Sequence, residues 1–318
     1  MRPLRVVQYG LGPIGLGIAR VLLARPHIEL IGAVDVAPEK VGRDLGELLG
    51  REAVGIPVVP NVREALEADV VVHATQSHLH QVESQLLEIF AAGADVVSTC
   101  EELAYPWFHH AEAAHRLDVA ACEHGVTVTG VGVNPGFVMD LLPVVLTAPC
   151  AAVRRVVVQR RVDAARRRTP LQRKVGVGLT EEEFRDRAAS GGLGHVGLPH
   201  SVAMIAAALG WEVGAITDRV EPVLAEGGSE VAGLHQVASG IGAGEERIRL
   251  ELTVAVGAEA PTDVVRIEGE PSLSVEIVGG LHGDVATCAI AANAIPTVRA
   301  APAGLRTVID LPPIRCAG

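Results

Sequence analysis

Gly10, Gly12 and Gly15 stand in G-x-G-x-x-G order within Gly10-Leu11-Gly12-Pro13-Ile14-Gly15, and Asp35 follows twenty positions after the last of them. That spacing suits a dinucleotide. The first glycine permits a tight turn, the second lets the backbone approach a pyrophosphate, and the third allows close helix packing, while the helix N-terminus offers N–H groups and a positive dipole. Asp35 can accept hydrogen bonds from ribose hydroxyls and would repel a 2′-phosphate, which favours NAD; Lys40 and Arg43 follow closely and leave NADP open. Three more polar segments close strand-like runs: Thr75-Gln76-Ser77, Cys100-Glu101-Glu102 and Gly132-Val133-Asn134-Pro135-Gly136. In a doubly wound sheet such segments converge on one crevice, so Thr75, Ser77 and Cys100 are expected beside the cofactor. Asn134 and Asn293 are amides suited to the nicotinamide carboxamide or, equally, to a turn backbone. Glu101 and Glu102 are adjacent carboxylates, which can raise one another's pKa.

These residues need a frame, and hydrophobic patterning supplies one. Arg5 to Tyr9 reads as a strand, Ile14 to Leu23 has helical apolar spacing, and Leu30 to Val34 is a buried strand that ends at Asp35. The alternation continues through a strand at Val70 to Thr75, a helix from Gln81 to Ala92, a strand at Asp95 to Thr99, a helix from Pro106 through Glu123 and a strand at Val126 to Thr129. The fold class is therefore α/β, an N-terminal Rossmann doubly wound parallel sheet. Beyond about residue 150 the texture changes to strands separated by glycine turns, which predicts a second α+β domain on a mixed or antiparallel sheet. Two helices interrupt it, one opened by the capping-box pattern Thr180-Glu181-Glu182-Glu183 and one running from Pro199 to Leu209. The dinucleotide-binding domain is placed at 1–140 and the substrate and dimerisation domain at 141–282.

Composition excludes several classes of function. The chain has 318 residues, 49% of them hydrophobic, enough for two cores. Its net charge of −11 argues against a nucleic-acid partner, which needs a clustered basic surface. No apolar run approaches the roughly 20 residues that cross a bilayer, and the start lacks the pattern of a signal peptide, so no membrane partner and a cytoplasmic location are expected. Cys100, Cys122, Cys150, Cys288 and Cys316 are scattered and odd in number, which suggests neither a disulfide framework nor structural zinc. Among twelve histidines the closest sets are His78/His80, His109/His110 and His195/His200; none has metal-ligand spacing, and no metal is expected. The arginines of Arg154-Arg155, Arg160-Arg161 and Arg166-Arg167-Arg168 read as a solvated face or an interface paired with acids. Only Lys40 and Lys174 could serve as a catalytic lysine.

Two longer motifs narrow the field. Ser98-Thr99-Cys100-Glu101-Glu102-Leu103-Ala104-Tyr105-Pro106 and Gly132-Val133-Asn134-Pro135-Gly136-Phe137-Val138-Met139-Asp140 resemble the 2,4-diaminopentanoate dehydrogenase family, which includes native amine dehydrogenases and is similar in fold to dihydrodipicolinate reductase. The likeness extends over Asp163 and the arginines after it, Gly194 to Leu198, and Gly283 to Thr287 through Asn293 to Pro296, so it covers nearly the whole chain. It implies that segment 283–318 completes the first domain and that two subunits pair through the second domain's sheet as a homodimer. It also implies the activity: hydride passes between C4 of nicotinamide and the carbon bearing nitrogen, interconverting an amine with a ketone and ammonia. A carboxylate near the nicotinamide would stabilise the iminium and act as general base. Glu101 and Glu102 are the candidates, with Glu101 favoured because homoserine dehydrogenases carry their lysine at the corresponding place. Phe137, Met139, Asp163 and His195 are the candidate substrate contacts, although Phe and Met are more often core; Asp140 could serve a diamino acid. Two other readings stand beside this one: another carbonyl or alcohol dehydrogenase of the homoserine dehydrogenase and dihydrodipicolinate reductase group, and a non-catalytic NAD-sensing protein. Against the first, His109-His110 lack the K-x-D-x-P-S-G-T run that follows in tetrahydrodipicolinate reductases, and glutamate stands where an alcohol dehydrogenase needs lysine.

Overall fold

The computed structural model describes residues 2–65, 67–166, 169–228 and 230–316. Strand β1 (Leu4–Tyr9) leads through the glycine turn into helix α1 (Pro13–Leu22) and strand β2 (Ile28–Val34). There follow α2 (Leu45–Leu48), β3 (Val58–Val59), β4 (Val70–His73), α3 (Leu79–Ala91), β5 (Asp95–Ser98), α4 (Ala111–His124) and β6 (Thr127–Gly130). A second run comprises α5 (Leu141–Leu146), β7 (Ala152–Asp163), α6 (Thr169–Lys174), α7 (Glu181–Ala189) and α8 (Leu198–Ala208), then β8 (Ala215–Leu224), β9 (Val231–Gly242), β10 (Glu245–Ala255), β11 (Thr262–Glu270) and β12 (Leu273–Val278). Helix α9 (Gly283–Arg299) and strand β13 (Gly304–Arg306) end the chain. Two compact units result, Met1–Gly136 with His282–Gly318, and Phe137–Leu281.

The first unit is a seven-stranded parallel sheet in the order β13-β6-β5-β4-β1-β2-β3. Strand order reverses between β1 and β4, so their carboxyl ends flank the switch point where such sheets take ligands. Val70, Val71 and Val72 are fully buried, which explains an apolar run without alternation: helices cover both faces of a parallel sheet. Helix α3 packs through Leu79, Val82, Leu86, Ile89 and Phe90, a helical spacing of apolar residues, and α9 packs against α1 and β5. The helix expected from Pro106 is divided. A 3₁₀ turn at Pro106–Phe108 comes first, and α4 starts only after His110. Gly125 ends α4 with φ +66°, the left-handed cap that glycine adopts without strain.

The second unit is a six-stranded sheet ordered β12-β11-β7-β10-β9-β8. It is mixed: β7 and β10 run parallel, and every other pair is antiparallel. Helix α8 packs on β8, β9 and β10, and α5 on β11. Thr180 and Glu183 close the expected capping box, with Thr180 N–H donating to Glu183 at 2.8 Å and Glu183 N–H to Thr180 at 3.3 Å. Two of the four arginines of β7, Arg155 and Arg160, pair with acids, while Arg154 and Arg161 donate to the Gly269 and Glu259 carbonyls. Arg155 bonds Glu246 and Glu268, while Arg160, itself buried, donates to both oxygens of buried Asp263 at 2.7 Å. Arg167 and Arg168 lie outside the described residues, as does the side chain of Arg166.

Candidate active site

The glycine turn closes on the switch point. Gly10 has φ +89°, and a Cβ there would stand 2.3 Å from the Ala74 carbonyl oxygen, so the turn lies directly against the chain leaving β4. A Cβ on Gly15 would meet the Gly10 carbonyl oxygen at 1.8 Å, which is the close approach the third glycine allows. Gly12 differs from both, with open space where its Cβ would point. Gly12 also caps α1 without a side chain, so the first turn of that helix has no protein cap for its N–H groups. The position is open rather than a packed joint, as the approach of a phosphate requires. Pro13 is exposed and Ile14 half-buried, whereas Leu11 faces the core and gives its N–H to Asp35 at 2.8 Å, bracing the turn.

Asp35 is buried at the carboxyl end of β2. Its carboxylate accepts from Leu11 and Ala37 N–H groups and from Lys40 Nζ at 2.9 Å. Burial pushes its pKa up, but the Ala37 N–H, Lys40 and the Leu11 N–H outweigh it and hold the group below its ordinary value. The acid therefore stays ionised with a cation already beside it.

At the ends of β4 and β5 a buried polar chain sets the loops. His73 is fully buried, with Nε2 at 2.7 Å from Gln85 Oε1 and Nδ1 at 3.0 Å from Ser98 Oγ. Burial lowers its pKa to about 4, against the small opposing effect of Gln85, so the ring is neutral. Because an amide oxygen only accepts, Nε2 carries the proton and Nδ1 accepts from Ser98, whose oxygen in turn accepts the Cys100 N–H at 3.1 Å. Thr75 Oγ1 joins the same chain, donating to Gln85 at 2.9 Å. The Thr75 hydroxyl is thus committed to the protein.

The two glutamates separate. Glu102 is buried, accepts the Leu79 N–H at 2.6 Å, and lies 3.0 Å from His78 Nδ1 and 2.9 Å from His110 Nε2. It caps the first turn of α3 from a different segment of the chain. Burial raises its pKa, but the Leu79 N–H, the His78 hydrogen bond and the charges of His110 and His78 prevail, so it lies below the ordinary value. That corrects the expectation that the adjacent acids push each other upward for this member of the pair. Glu101 is half-buried and accepts from Ser77 Oγ at 3.0 Å. Cys100 is buried and its thiol is pushed up to about 12, by burial first and then by both glutamates against two backbone N–H groups. It packs under the site as a thiol and is no nucleophile.

Asn134 is the strongest sign of a ligand. It is only 9% exposed, and neither Oδ1 nor Nδ2 has a hydrogen-bond partner among the described residues. A buried amide left unsatisfied costs about 1–3 kcal/mol, which a carboxamide ligand would recover. The neighbouring Val133 N–H donates to Thr287 Oγ1 near the start of α9 at 3.3 Å. Asn293 is a correction. Six residues further along α9, its Oδ1 accepts from Arg25 at 2.7 Å, beyond the far end of α1 from the glycine turn. A ten-residue helix is about 15 Å long, so Asn293 ties α9 to the turn after α1, far from the glycine turn.

Within the second unit, Phe137 is half-buried and keeps an exposed edge. Met139 is fully buried in the core and is removed from the substrate contacts. Asp140 is likewise buried, capping α5 through the Leu141 N–H and accepting from Ser201 at 2.7 Å, so it serves the fold. Asp163 accepts from the Ala165 and Gly257 N–H groups at the end of β7, a turn contact. His195 is half-buried, and Gln236 grips its backbone on both sides, accepting its N–H at 2.7 Å and donating to its carbonyl at 3.1 Å. Gln236 also donates to Asp218, at 3.0 Å. Sequence reasoning missed Gln236, His73 and Gln85, because a buried amide or imidazole inside a strand or helix has no spacing signature.

Residues 137–317 match the family model described as the 2,4-diaminopentanoate dehydrogenase C-terminal domain, and residues 4–99 match that of the dihydrodipicolinate reductase N-terminus. The 2,4-diaminopentanoate dehydrogenase of Acetoanaerobium sticklandii is 32% identical, over 98% of this chain and 94% of its own length. Among solved structures, an amine dehydrogenase from Mycobacterium smegmatis superposes with a TM-score of 0.87 at 28% identity, covering 98% of this chain and 97% of that one. GenD2 from gentamicin A biosynthesis, in complex with NAD, shares the fold with a TM-score of 0.58 at 24% identity, over 87% of this chain and 73% of that one.

Proposed function

The chain belongs to the 2,4-diaminopentanoate dehydrogenase family, as an NAD(P)-binding oxidoreductase of the amine dehydrogenase type, and from that membership we propose that it interconverts 2,4-diaminopentanoate or a simpler amine with the corresponding ketone and ammonia. Membership in a dehydrogenase family leaves no place for the NAD-sensing reading. In the oxidative direction a protonated amine, oxidised nicotinamide and water give a ketone, ammonium, reduced nicotinamide and one proton. The cofactor, when bound, supplies the hydride acceptor.

The observation that carries the assignment of roles is the division of labour between the glutamates. Glu102 is buried and committed to α3, His78 and His110, while Glu101 is more accessible and accepts from the Ser77 hydroxyl. Glu101 is therefore the proposed catalytic residue. Its negative charge stabilises the cationic carbon–nitrogen double bond, and its oxygen takes a proton from the attacking water. Ser77 orients it. The orphaned Asn134 amide holds the nicotinamide carboxamide, and Gly12 with the uncapped start of α1 holds the pyrophosphate. Asp35 binds the ribose and favours NAD; Lys40, 2.9 Å from it, offsets the repulsion of a 2′-phosphate and admits NADP as the weaker cofactor. Phe137 and His195 remain the substrate contacts. The partner in solution is a second copy, paired through the face of the second unit's sheet that carries Gln159, Glu251, Arg249 and Arg266.

The test follows consumption of reduced nicotinamide with a panel of ketones in ammonium, and its formation with 2,4-diaminopentanoate and simpler amines, using both cofactors. Turnover that requires ammonium supports amination; equal turnover when an inert salt replaces ammonium would convert the reading to carbonyl reduction. Light scattering on the same preparation reports the dimer.

A further inference from the structure

We propose that His78, His80 and Glu102 form a site for one divalent transition-metal cation of the zinc type. Each residue offers one ligand atom, and the three atoms lie within 4.8 Å of one another. His78 Nδ1 and Glu102 Oε1 stand 3.0 Å apart. Two ligands with bonds of about 2.0–2.1 Å to a tetrahedral ion are separated by about 3.3 Å, so a cation can replace the proton between these atoms with little movement.

The carboxylate is prepared for this. Glu102 Oε2 takes the Leu79 N–H and His110, which use both of its lone pairs, while Oε1 engages only His78 among these groups. Glu102 is buried and fixed by the first turn of α3, and His78 occupies the cap position of that helix, so two of the three ligands are held before any metal arrives. His80 is exposed on the same turn, its ring centroid 5.6 Å from that of His78, and its ligand atom already lies within 4.8 Å of the other two. His110 orients the carboxylate from the other side, as the outer partners of metal ligands do. Two imidazoles and one carboxylate select zinc, nickel, cobalt or copper over magnesium or calcium, and three protein ligands leave a position for water. The spacing of His78 and His80 alone gave no hint of a metal, because the third ligand arrives from the end of another strand.

The ligands adjoin Ser77 and Glu101 in the chain, and the test reads metal binding rather than turnover. Chelator-stripped protein is titrated with Co²⁺, followed by its visible absorption, and with Zn²⁺ by calorimetry. We expect one bound ion per chain with the spectrum of a four-coordinate nitrogen and oxygen site. His80→Ala, a change at an exposed position, should weaken binding at least about tenfold with a melting temperature near that of the parent, and His110→Ala should weaken it as well. His124→Ala, an exposed histidine elsewhere on α4, should leave binding unchanged. Absence of one-to-one binding, parental affinity in His80→Ala, or an equal loss in His124→Ala would overturn the site, the last outcome indicating unspecific capture by surface histidines.

Discussion

Adjacent carboxylates with different hydrogen bonds are expected to fail differently when neutralised. Glu101→Gln keeps an acceptor for Ser77 but loses the base and the charge, so kcat should fall by about 10²–10⁴ with the melting temperature nearly unchanged. Glu102→Gln should do the reverse, lowering stability more than the chemical step, because it weakens the cap of α3 and the bonds to His78 and His110. Equal losses of kcat in both variants would defeat the assignment. Acid unfolding adds a second signature. The Glu102 carboxyl lies below its ordinary value of 4.5 in the folded chain, where the Leu79 N–H and the two imidazoles outweigh burial. The unfolded chain therefore takes up that proton first: stabilisation is complete above about 4.5 and is lost as pH falls through the folded value. His73 acts on a higher window. Its folded pKa of about 4 lies below the ordinary 6.5, so the unfolded chain binds the extra proton between those values. Stability should fall from pH 6.5 towards 4 by up to about 3 kcal/mol. In His73→Gln the slope of stability against pH across that window should flatten, measured by denaturant unfolding at several pH values.

At the scale of elements, the glycine turn makes three positions of one motif chemically distinct. Gly10 and Gly15 are closed by backbone oxygens 2.3 and 1.8 Å from an added Cβ, whereas Gly12 faces open space. Gly12→Ala should fold with a parental melting temperature and bind the dinucleotide at least about tenfold more weakly, about 1.4 kcal/mol. Gly15→Ala should lose stability as well, because α1 must move away from the turn. A Gly12→Ala variant with parental cofactor affinity would show that the phosphate binds elsewhere. The sequence signalled these positions clearly, since strand, turn, helix and acid each leave a local pattern. It signalled the cap of α3 not at all: His78 offers no side-chain cap to that helix, and the acid that supplies one stands 23 residues later than the N–H it receives. The same limit applies to Asn293, whose amide suited the nicotinamide carboxamide or a turn, whereas its bond to Arg25 ties α9 to the segment after α1. Local patterns report on elements; partners distant in the chain must be seen.

For the molecule as a whole, the parallel sheet was legible because its buried valine runs alternate with amphipathic helices, while the second sheet was legible only as mixed or antiparallel. Its single parallel pair, β7 with β10, follows from where the long strand β7 is inserted, and no residue pattern encodes that. One buried pair ties this arrangement together. Arg160 on β7 donates to both oxygens of Asp263 on β11 and, at 2.6 Å, to the Leu281 carbonyl; the Leu281 N–H returns to Asp263 at 2.8 Å. Leu281 is the last residue of the second unit, so the pair fixes both the β7–β11 register and the point where the chain leaves that unit. Both side chains are almost wholly buried, at 4% and 0% exposure, so removing one charge strands the other away from water. Asp263→Ala should therefore cost about 3–5 kcal/mol. Replacing the pair together by Arg160→Met and Asp263→Leu should cost clearly less, since no charge is left unpaired, although the Leu281 backbone loses both its bonds. Calorimetric unfolding of the two variants decides between this account and a simple sum of lost contacts: a double variant less stable than Asp263→Ala would refute the stranded-charge explanation.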